Sequence, residues 1–311
     1  MNTRWTHLSI SALVCIALAA GITGGSALAQ NLFAEEGQSV YSGQPAAASG
    51  VTLGAWGSGS CKESALNTYA GSYSLEITPK DLYAGGRIDF MAPVDITSSF
   101  NDPTSYLQLV TRFGGAQAGY DAFGMNISAV GSTDIYGGTA RAGKQVRKVR
   151  IVLYLEDGSV VESQVDVASF KLSEDGWMKL SFPLAVLKGK LELPAYKVKR
   201  LVITGDGSEP FYIGEIKTVR DNTPLEANAG EEMEVARLYA NVFHGFAQTG
   251  ASAVKYTWDF NAVDGVQEES VGDLIYHRFS QAGSFVVTLT VSDVFGLKKP
   301  STSTISVKVN E

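Results

Sequence analysis

The sequence predicts an all-β protein made of two β-sandwich domains. Apolar and polar residues alternate with a period of two in many short runs, which is the pattern of strands with one buried face. Turn signals such as Asp157-Gly158 separate these runs, and Asp-Gly between two strand-like runs is typical of a β-hairpin. Helical periodicity is nearly absent, and only residues 66–69 and 184–187 could hold a helical turn.

Residues 1–29 have the features of a secretory signal peptide. Arg4 supplies a positive charge, residues 10–20 are largely apolar, and Ala27-Leu28-Ala29 forms a small-x-small cleavage site before Gln30. The apolar stretch is short for a membrane span, which favours cleavage over the alternative of an uncleaved anchor. We therefore expect a mature chain without a transmembrane segment, secreted to the extracellular space or the cell surface, with the periplasm as the alternative compartment.

Charge and cysteine content exclude several classes of protein. The formal net charge is −7 at pH 7, and loss of Arg4 with the signal makes it one unit more negative. No cluster of Lys and Arg is present that could neutralise phosphates, so we expect no nucleic-acid partner. Cys61 alone remains after cleavage, so no intramolecular disulfide can form, and we expect this thiol to be buried.

Residues 30–220 contain strand patterns at regular spacing. The runs lie at 73–77, 87–91, 106–113, 149–155, 159–167, 177–182, 198–204 and 211–219. So many strands without helices predict an N-terminal jelly-roll sandwich of two sheets. Residues 114–143 are rich in Gly and Ala, and 125–130 are predicted to form a further strand there. Residues 221–224, Asp-Asn-Thr-Pro, break the pattern and predict a linker to a second domain at 225–311.

The second domain carries a set of short aromatic and glycine motifs. They are Trp-Asp-Phe at 258–260, His277-x-Phe279, Ala282-Gly283-x-Phe285, the alternating run 287–291, and Asp293 with Gly296. Over residues 222–311 these motifs resemble the PKD domain, an immunoglobulin-like module of many secreted bacterial proteins. Asn261 departs from the Gly-Asp-Gly that usually follows Trp-Asp-Phe in that family. The resemblance implies an immunoglobulin-like β-sandwich in an extracellular protein.

The first domain resembles carbohydrate-binding jelly-roll modules and galactose-binding-like domains. The motifs that carry this resemblance lie at 72–77, 153–158, 176–180 and 211–216 and span most of residues 30–220. The resemblance implies a structural calcium ion between the first and last strands, held by Glu35 or Glu36 and by Glu215, although the family prefers Asp in the last strand. No other cofactor is expected.

Three aromatic residues are candidates for stacking on a sugar ring, whose C–H faces suit π surfaces. Trp56 is flanked by Gly and Ser, and Tyr120 and Tyr136 lie in the Gly-rich region, so these side chains are predicted to be exposed. The alternative is that they fold onto the sandwich. Trp177, at the start of a strand, is expected in the core.

The sequence offers little for catalysis or for a second metal. Its mature histidines are His244 and His277, and no nucleophile elbow, zinc helix or phosphate loop is present. The paired carboxylates typical of jelly-roll glycosidases are also missing. A further set of acidic residues could bind calcium or could serve as turn and capping groups: Asp259, Asp264 and Asp273.

We therefore predict a secreted, non-catalytic protein that binds extracellular polysaccharide or cell-surface glycan through the jelly roll, with the second domain as a spacer or adhesive module. The first alternative is a structural assembly protein that binds other surface proteins. The second alternative is a divergent glycan hydrolase or lyase.

Overall fold

The computed structural model describes residues 35–113, 144–187 and 192–311, and nearly all of the regular structure in them is β. The described part of the first sandwich has eleven strands. They are β1 (Glu35–Tyr41), β2 (Val51–Trp56), β3 (Ser60–Ser64), β4 (Ser74–Thr78), β5 (Gly85–Asp95), β6 (Ser105–Phe113), β7 (Lys148–Leu155), β8 (Val160–Asp166), β9 (Met178–Pro183), β10 (Lys197–Gly205) and β11 (Phe211–Arg220). A single turn of α-helix, α1 (Thr97–Phe100), and 3₁₀ turns at Val167–Ser169 and Leu184–Val186 connect them.

These strands form two antiparallel sheets that share one core. Sheet I has the strand order β3-β4-β11-β6-β9, and β1 pairs with the rest of the β11 edge that β4 leaves open. Sheet II has the order β2-β5-β10-β7-β8. Leu75 and Leu109 of sheet I and Ile88, Leu153 and Leu201 of sheet II belong to the same buried apolar cluster. The all-β sandwich predicted from the alternating runs is confirmed.

The local predictions succeed where backbone pairing decides the structure. The hairpin at Asp157-Gly158 joins β7 to β8, and Gly158 has φ +93°, a conformation that glycine adopts without steric cost. Residues 184–186 form a 3₁₀ turn as predicted. The helical turn predicted at 66–69 is wrong, because Ser64 and Ser74 bond the backbone of Leu66 through their hydroxyls and hold this segment as bends. The strand predicted at 125–130 lies outside the described residues.

The second sandwich begins after residue 224. Its strands are β12 (Glu226–Asn228), β13 (Met233–Ala236), β14 (Asn241–His244), β15 (Phe246–Gln248), β16 (Val254–Asp259), β17 (Ser270–Val271), β18 (Leu274–His277), β19 (Gly283–Asp293) and β20 (Ser301–Asn310). They form a sheet of order β13-β20-β19-β16-β17 and the two pairs β12-β15 and β14-β18. Trp258 is fully buried at the centre and donates from Nε1 to the carbonyl of Gly272 at 2.9 Å. The architecture is an immunoglobulin-like β-sandwich, as predicted.

His277 is part of the aromatic packing of this second sandwich. Its ring stacks on Phe260 with centroids 3.6 Å apart and meets Phe279 edge-on at 4.6 Å. Burial lowers the pKa of His277 below its usual value, and the opposing attraction of Glu269 is smaller. The imidazole is therefore packed as a neutral aromatic ring.

We expect the second sandwich to lose stability as the pH falls below about 6.5, the usual pKa of an unfolded histidine. The unfolded chain then binds a proton that the folded chain resists, so the contribution of neutral His277 is complete above that pH and is lost as the pH falls through the lowered folded pKa. His277→Phe keeps the stacking without a titrating group. Thermal melts from about pH 7 to about pH 5 should show a smaller fall in Tm for this variant. An identical pH dependence in both proteins would contradict this role.

The linker between the sandwiches is buried around Asp221. This side chain is 2% exposed, and its carboxylate accepts hydrogen bonds from the backbone N–H groups of Thr223 at 2.9 Å and Ala251 at 2.5 Å. Lys298 Nζ donates to the same carboxylate at 2.7 Å. Burial alone would raise the pKa of Asp221, but the hydrogen bonds from Lys298, Ala251 and Thr223 outweigh it and hold this pKa below its usual value.

Apolar contacts reinforce the same junction. Tyr106 and Val219 of the first sandwich pack with Ala251 of the second, and Phe295 packs against the core of the first sandwich. Asp221 also donates its own backbone N–H to the carbonyl of Thr104 at 2.9 Å. A charged and an apolar set of contacts thus fix the two sandwiches to each other at the point where the chain passes between them.

Lys298→Met should destabilise the protein by about 3–5 kcal/mol, because it leaves the Asp221 carboxylate buried without its cation. Lys308→Met is a matched control, since it removes an ion pair to Glu234 that is more than half exposed and should cost less than about 1 kcal/mol. Urea unfolding of the two variants measures both values. Equal losses would show that the buried pair does not stabilise the junction.

Candidate functional site

The register of sheet II decides which of its side chains face away from the core. Leu53, Ile88, Leu201 and Leu153 are paired in one line across β2, β5, β10 and β7, and all four pack in the core. Because successive residues of a strand point to opposite faces, the residues on either side of this line lie on the outer face of sheet II.

Three rows of outward residues cross this face. In the strand order β2, β5, β10, β7, β8, the rows are Thr52, Asp89, Arg200, Tyr154, Val160; then Gly54, Arg87, Val202, Val152, Glu162; then Trp56, Gly85, Thr204, Arg150, Gln164. The centre of the middle row is closed and apolar, with Val202 0% and Val152 4% exposed. Aromatic and charged side chains flank this apolar centre on both sides.

Trp56 and Tyr154 form an aromatic pair on the face. Their strands are separated by β5 and β10, yet the ring centroids are only 5.5 Å apart, with the planes inclined at 53°. The two side chains must therefore extend toward each other across the sheet. The Arg200 guanidinium carbon lies 5.9 Å from the Trp56 ring and 5.7 Å from the Tyr154 ring, within the range of a cation–π contact.

Asp89 connects the aromatic pair to a second arginine. Its carboxylate accepts a hydrogen bond from Arg200 Nε at 2.5 Å and lies 2.8 Å from Arg87 Nε. The Arg87 contact is an ion pair without hydrogen-bond geometry, since Arg87 Nε is buried and has no hydrogen-bond partner. Gly54 makes room for this guanidinium, because a Cβ at Gly54 would come within 2.9 Å of Arg87 Nη2. One carboxylate thus serves two guanidinium groups.

A second group of side chains lies toward the far end of the face. Arg150 pairs with Glu162 and donates to the carbonyl of Leu82 at 3.3 Å. Its guanidinium carbon is also 5.2 Å from the ring of Tyr83, a side chain that is 71% exposed. Thr204 donates to the same Leu82 carbonyl at 2.7 Å, so the loop that carries Tyr83 is fastened to the sheet.

The arrangement is suited to binding a polar ligand that also has apolar faces. Aromatic rings offer surfaces on which the C–H faces of a sugar can stack, while arginine and aspartate can exchange hydrogen bonds with hydroxyl groups. Within residues 35–113, 144–187 and 192–311, no three His, Cys, Asp or Glu side chains are grouped in a way that could hold a metal ion. Burial lowers the pKa of both His244 and His277, which lie in the second sandwich.

The aromatic residues predicted from the sequence have different outcomes. Trp56 is half-buried and lies on the face described above. Tyr120 and Tyr136 lie outside the described residues and stay predictions. Trp177 is buried, as its strand position predicts, and it packs against Tyr69 with ring centroids 5.2 Å apart.

The predicted calcium ligands lie along the β1–β11 pairing. The backbones of Glu35 and Glu36 pair with Arg220 and Val219, whereas Glu215 is next to Ile216, the partner of Tyr41 at the opposite end of β1. The Glu215 carboxylate is 3.0 Å from Lys217 Nζ. The side chains of Glu35 and Glu36 are outside the described part, and the calcium ion stays a prediction.

Two of the acidic residues in the second sandwich serve backbone turns. Asp259 accepts hydrogen bonds from the N–H groups of Asn261 at 2.8 Å and Gln267 at 2.5 Å, and Asp273 accepts one from Leu274 at 3.0 Å. Cys61 is buried as predicted, and burial raises the pKa of its thiol to about 12. Such a thiol is a poor nucleophile, because the reactive species is the thiolate.

Sequence reasoning did not identify Tyr154, Arg200, Arg87 or Asp89 as site residues. Each occupies the polar phase of an alternating run, so its outward direction could be read from the pattern. Their common location depends on the strand order of sheet II, which brings together residues from three parts of the chain.

Comparison with known proteins identifies the second sandwich. Residues 222–309 match the family model of the PKD domain. The match agrees with the motif-based resemblance and with the immunoglobulin-like β-sandwich observed for this segment. A search of curated protein sequences found no match for the chain.

One solved structure with a similar trace contains the M60 catalytic domain with the CBM51-1 and CBM51-2 domains of ZmpB from Clostridium perfringens. The sequences are 12% identical, the similarity covers 90% of this chain and 22% of that one, and the TM-score is 0.18. A likeness at this TM-score supports no statement about fold or ligand. Across the described ranges, no helix has the length and apolar character needed to cross a membrane.

Asp89→Asn should destabilise the protein by about 1–2 kcal/mol, because it leaves two guanidinium groups side by side without their carboxylate. Asp166→Asn makes the same chemical change on the same sheet, but its pair with Lys148 is about half exposed and should contribute close to nothing. The free energies of unfolding in urea give the comparison. If Asp166→Asn cost as much as Asp89→Asn, Asp89 would not be the organising charge of this face.

Proposed function

We propose that this protein is a secreted, non-catalytic protein that binds extracellular polysaccharide or cell-surface glycan through the outer face of sheet II. The observation that carries the proposal is the Trp56–Tyr154 pair, with Arg200 placed against both rings and hydrogen-bonded to Asp89. Stacking surfaces beside oriented polar groups are what recognition of a sugar requires, since a sugar ring has apolar faces and a polar edge.

The charges on this face favour binding over bond cleavage. Asp89 is engaged by Arg200 and Arg87, and Glu162 by Arg150. A glycosidase needs one carboxyl group that carries a proton and a second one that acts as base or nucleophile. Carboxylates paired with arginine are better placed to accept hydrogen bonds from hydroxyl groups than to transfer protons.

The PKD-like domain acts in this proposal as a spacer or adhesive module that holds the first sandwich in a fixed orientation. The buried Asp221–Lys298 pair and the packing of Phe295 support a firm junction between the two. Secretion rests on the predicted signal at residues 1–29, and the PKD match agrees with an extracellular location.

The proposal is tested by retention of the purified protein, without residues 1–29, on a panel of insoluble and soluble polysaccharides, with and without a calcium chelator. We expect retention on at least one glycan, and a loss of affinity of about tenfold in Trp56→Ala and in Tyr154→Ala, because each removes a stacking surface. Tyr239→Ala is the matched control, since Tyr239 is 71% exposed but lies in the second sandwich.

Circular dichroism and thermal melts of each variant separate loss of binding from loss of folding. Absence of retention on every glycan by a folded protein would overturn the proposal, and self-association of the chain would then support the assembly function. A loss of retention or a fall in Tm on chelation would show that calcium is bound, and Glu215→Gln would test whether the predicted ligand holds it.

A further inference from the structure

The outer face of sheet II has more positive than negative charge. Its three rows contain Arg87, Arg150 and Arg200 but only Asp89 and Glu162. One positive charge is therefore left over on this face, in a chain whose formal net charge is −7. An isolated excess cation beside two aromatic rings is a local feature, because the protein as a whole is acidic.

The excess charge can be assigned to Arg87. Arg150 has Glu162, the Leu82 carbonyl and the ring of Tyr83 as partners. Arg200 hydrogen-bonds to Asp89 and contacts both aromatic rings. The Arg87 side chain is 37% exposed, and its guanidinium donates no hydrogen bond to any described residue, although it lies close to Asp89.

The surroundings of Arg87 hold its guanidinium ready for a ligand. On one side Gly54 provides the space in which the group lies, and on the other side its row continues into the buried Val202 and Val152. A charge next to apolar surface is less well hydrated than one in open solvent, so an anionic partner gains more there. A planar guanidinium matches a carboxylate with two parallel N–H···O bonds.

We propose that the glycan bound by this face is acidic and that Arg87 binds the carboxylate of a uronic acid residue while a sugar ring stacks on Trp56 or Tyr154. This inference rests on the function proposed above and specifies its class of ligand. Arg87 is then the residue that distinguishes a carboxylate-bearing glycan from a neutral one, and the aromatic pair supplies affinity for both.

Two forms of one polymer test the inference. Polygalacturonate and its fully methyl-esterified form share a backbone and differ in the charge of the carboxyl group. We expect the protein to bind the free acid about tenfold or more tightly than the ester, because an ionised acceptor strengthens the hydrogen bonds of Arg87. We also expect this preference to shrink as the salt concentration rises.

Arg87→Gln should lower affinity for the free acid by a similar factor and leave binding of the ester unchanged. This variant should fold, because Asp89 keeps its hydrogen bond to Arg200. Arg237→Gln is the matched control, since Arg237 is also partly exposed and ion-paired but belongs to the second sandwich. Trp56→Ala should weaken binding of both polymers.

Each other outcome decides against a definite part of the proposal. Equal binding of the acid and the ester would overturn the acidic ligand and leave glycan binding intact, whereas no binding of these or any other glycan would overturn both. Unchanged binding of the free acid by Arg87→Gln would overturn the assignment to Arg87. Dextran sulfate bound as tightly as polygalacturonate would overturn carboxylate recognition in favour of charge alone.

Discussion

The register of sheet II is the constraint on which the rest of the first sandwich depends. The line of Leu53, Ile88, Leu201 and Leu153 fills the core, and the rows beside it carry Trp56, Tyr154 and the arginines on the opposite face. A slip of one residue would exchange the two faces and place charged side chains in the core. The burial that stabilises the sandwich is therefore the same interaction that positions the candidate site, and the two cannot vary independently.

The two prominent aspartates show how burial determines the way charges are balanced. Asp221 is almost fully buried at the junction, and its carboxylate is matched by one lysine and two backbone N–H groups. Asp89 is partly exposed and is shared by two arginines, which leaves positive charge uncompensated. A buried charge must be satisfied within the protein because desolvation is costly, whereas solvent tolerates an imbalance at the surface. Only the surface arrangement can have a charge left for a ligand.

What the sequence could predict follows from the range of each interaction. Strands such as β7 and β10 were predictable because their pattern is local, and Trp56 was identified because small polar residues flank it. Tyr154 and Arg200 could be predicted to face outward, but their contact with Trp56 depends on the order of four strands. Residues 221–224 have the composition of an exposed turn, yet Asp221 is buried because Lys298, 77 residues later, neutralises it.

The outer face of sheet II is rigid in a way that bears on how a ligand would bind. Its residues lie on paired strands, and Arg200 is already held by Asp89 and by contact with two rings, so little side-chain freedom remains to be lost on binding. The contact area of an open sheet face is modest compared with that of a closed pocket, since a ligand is covered on one side only. Preorganised side chains compensate in part for this loss. A polymer adds a second compensation, because its repeated units offer the same face many neighbouring positions and raise the effective concentration of binding sites. An extended glycan with recurring charges therefore suits this face better than an isolated small sugar does.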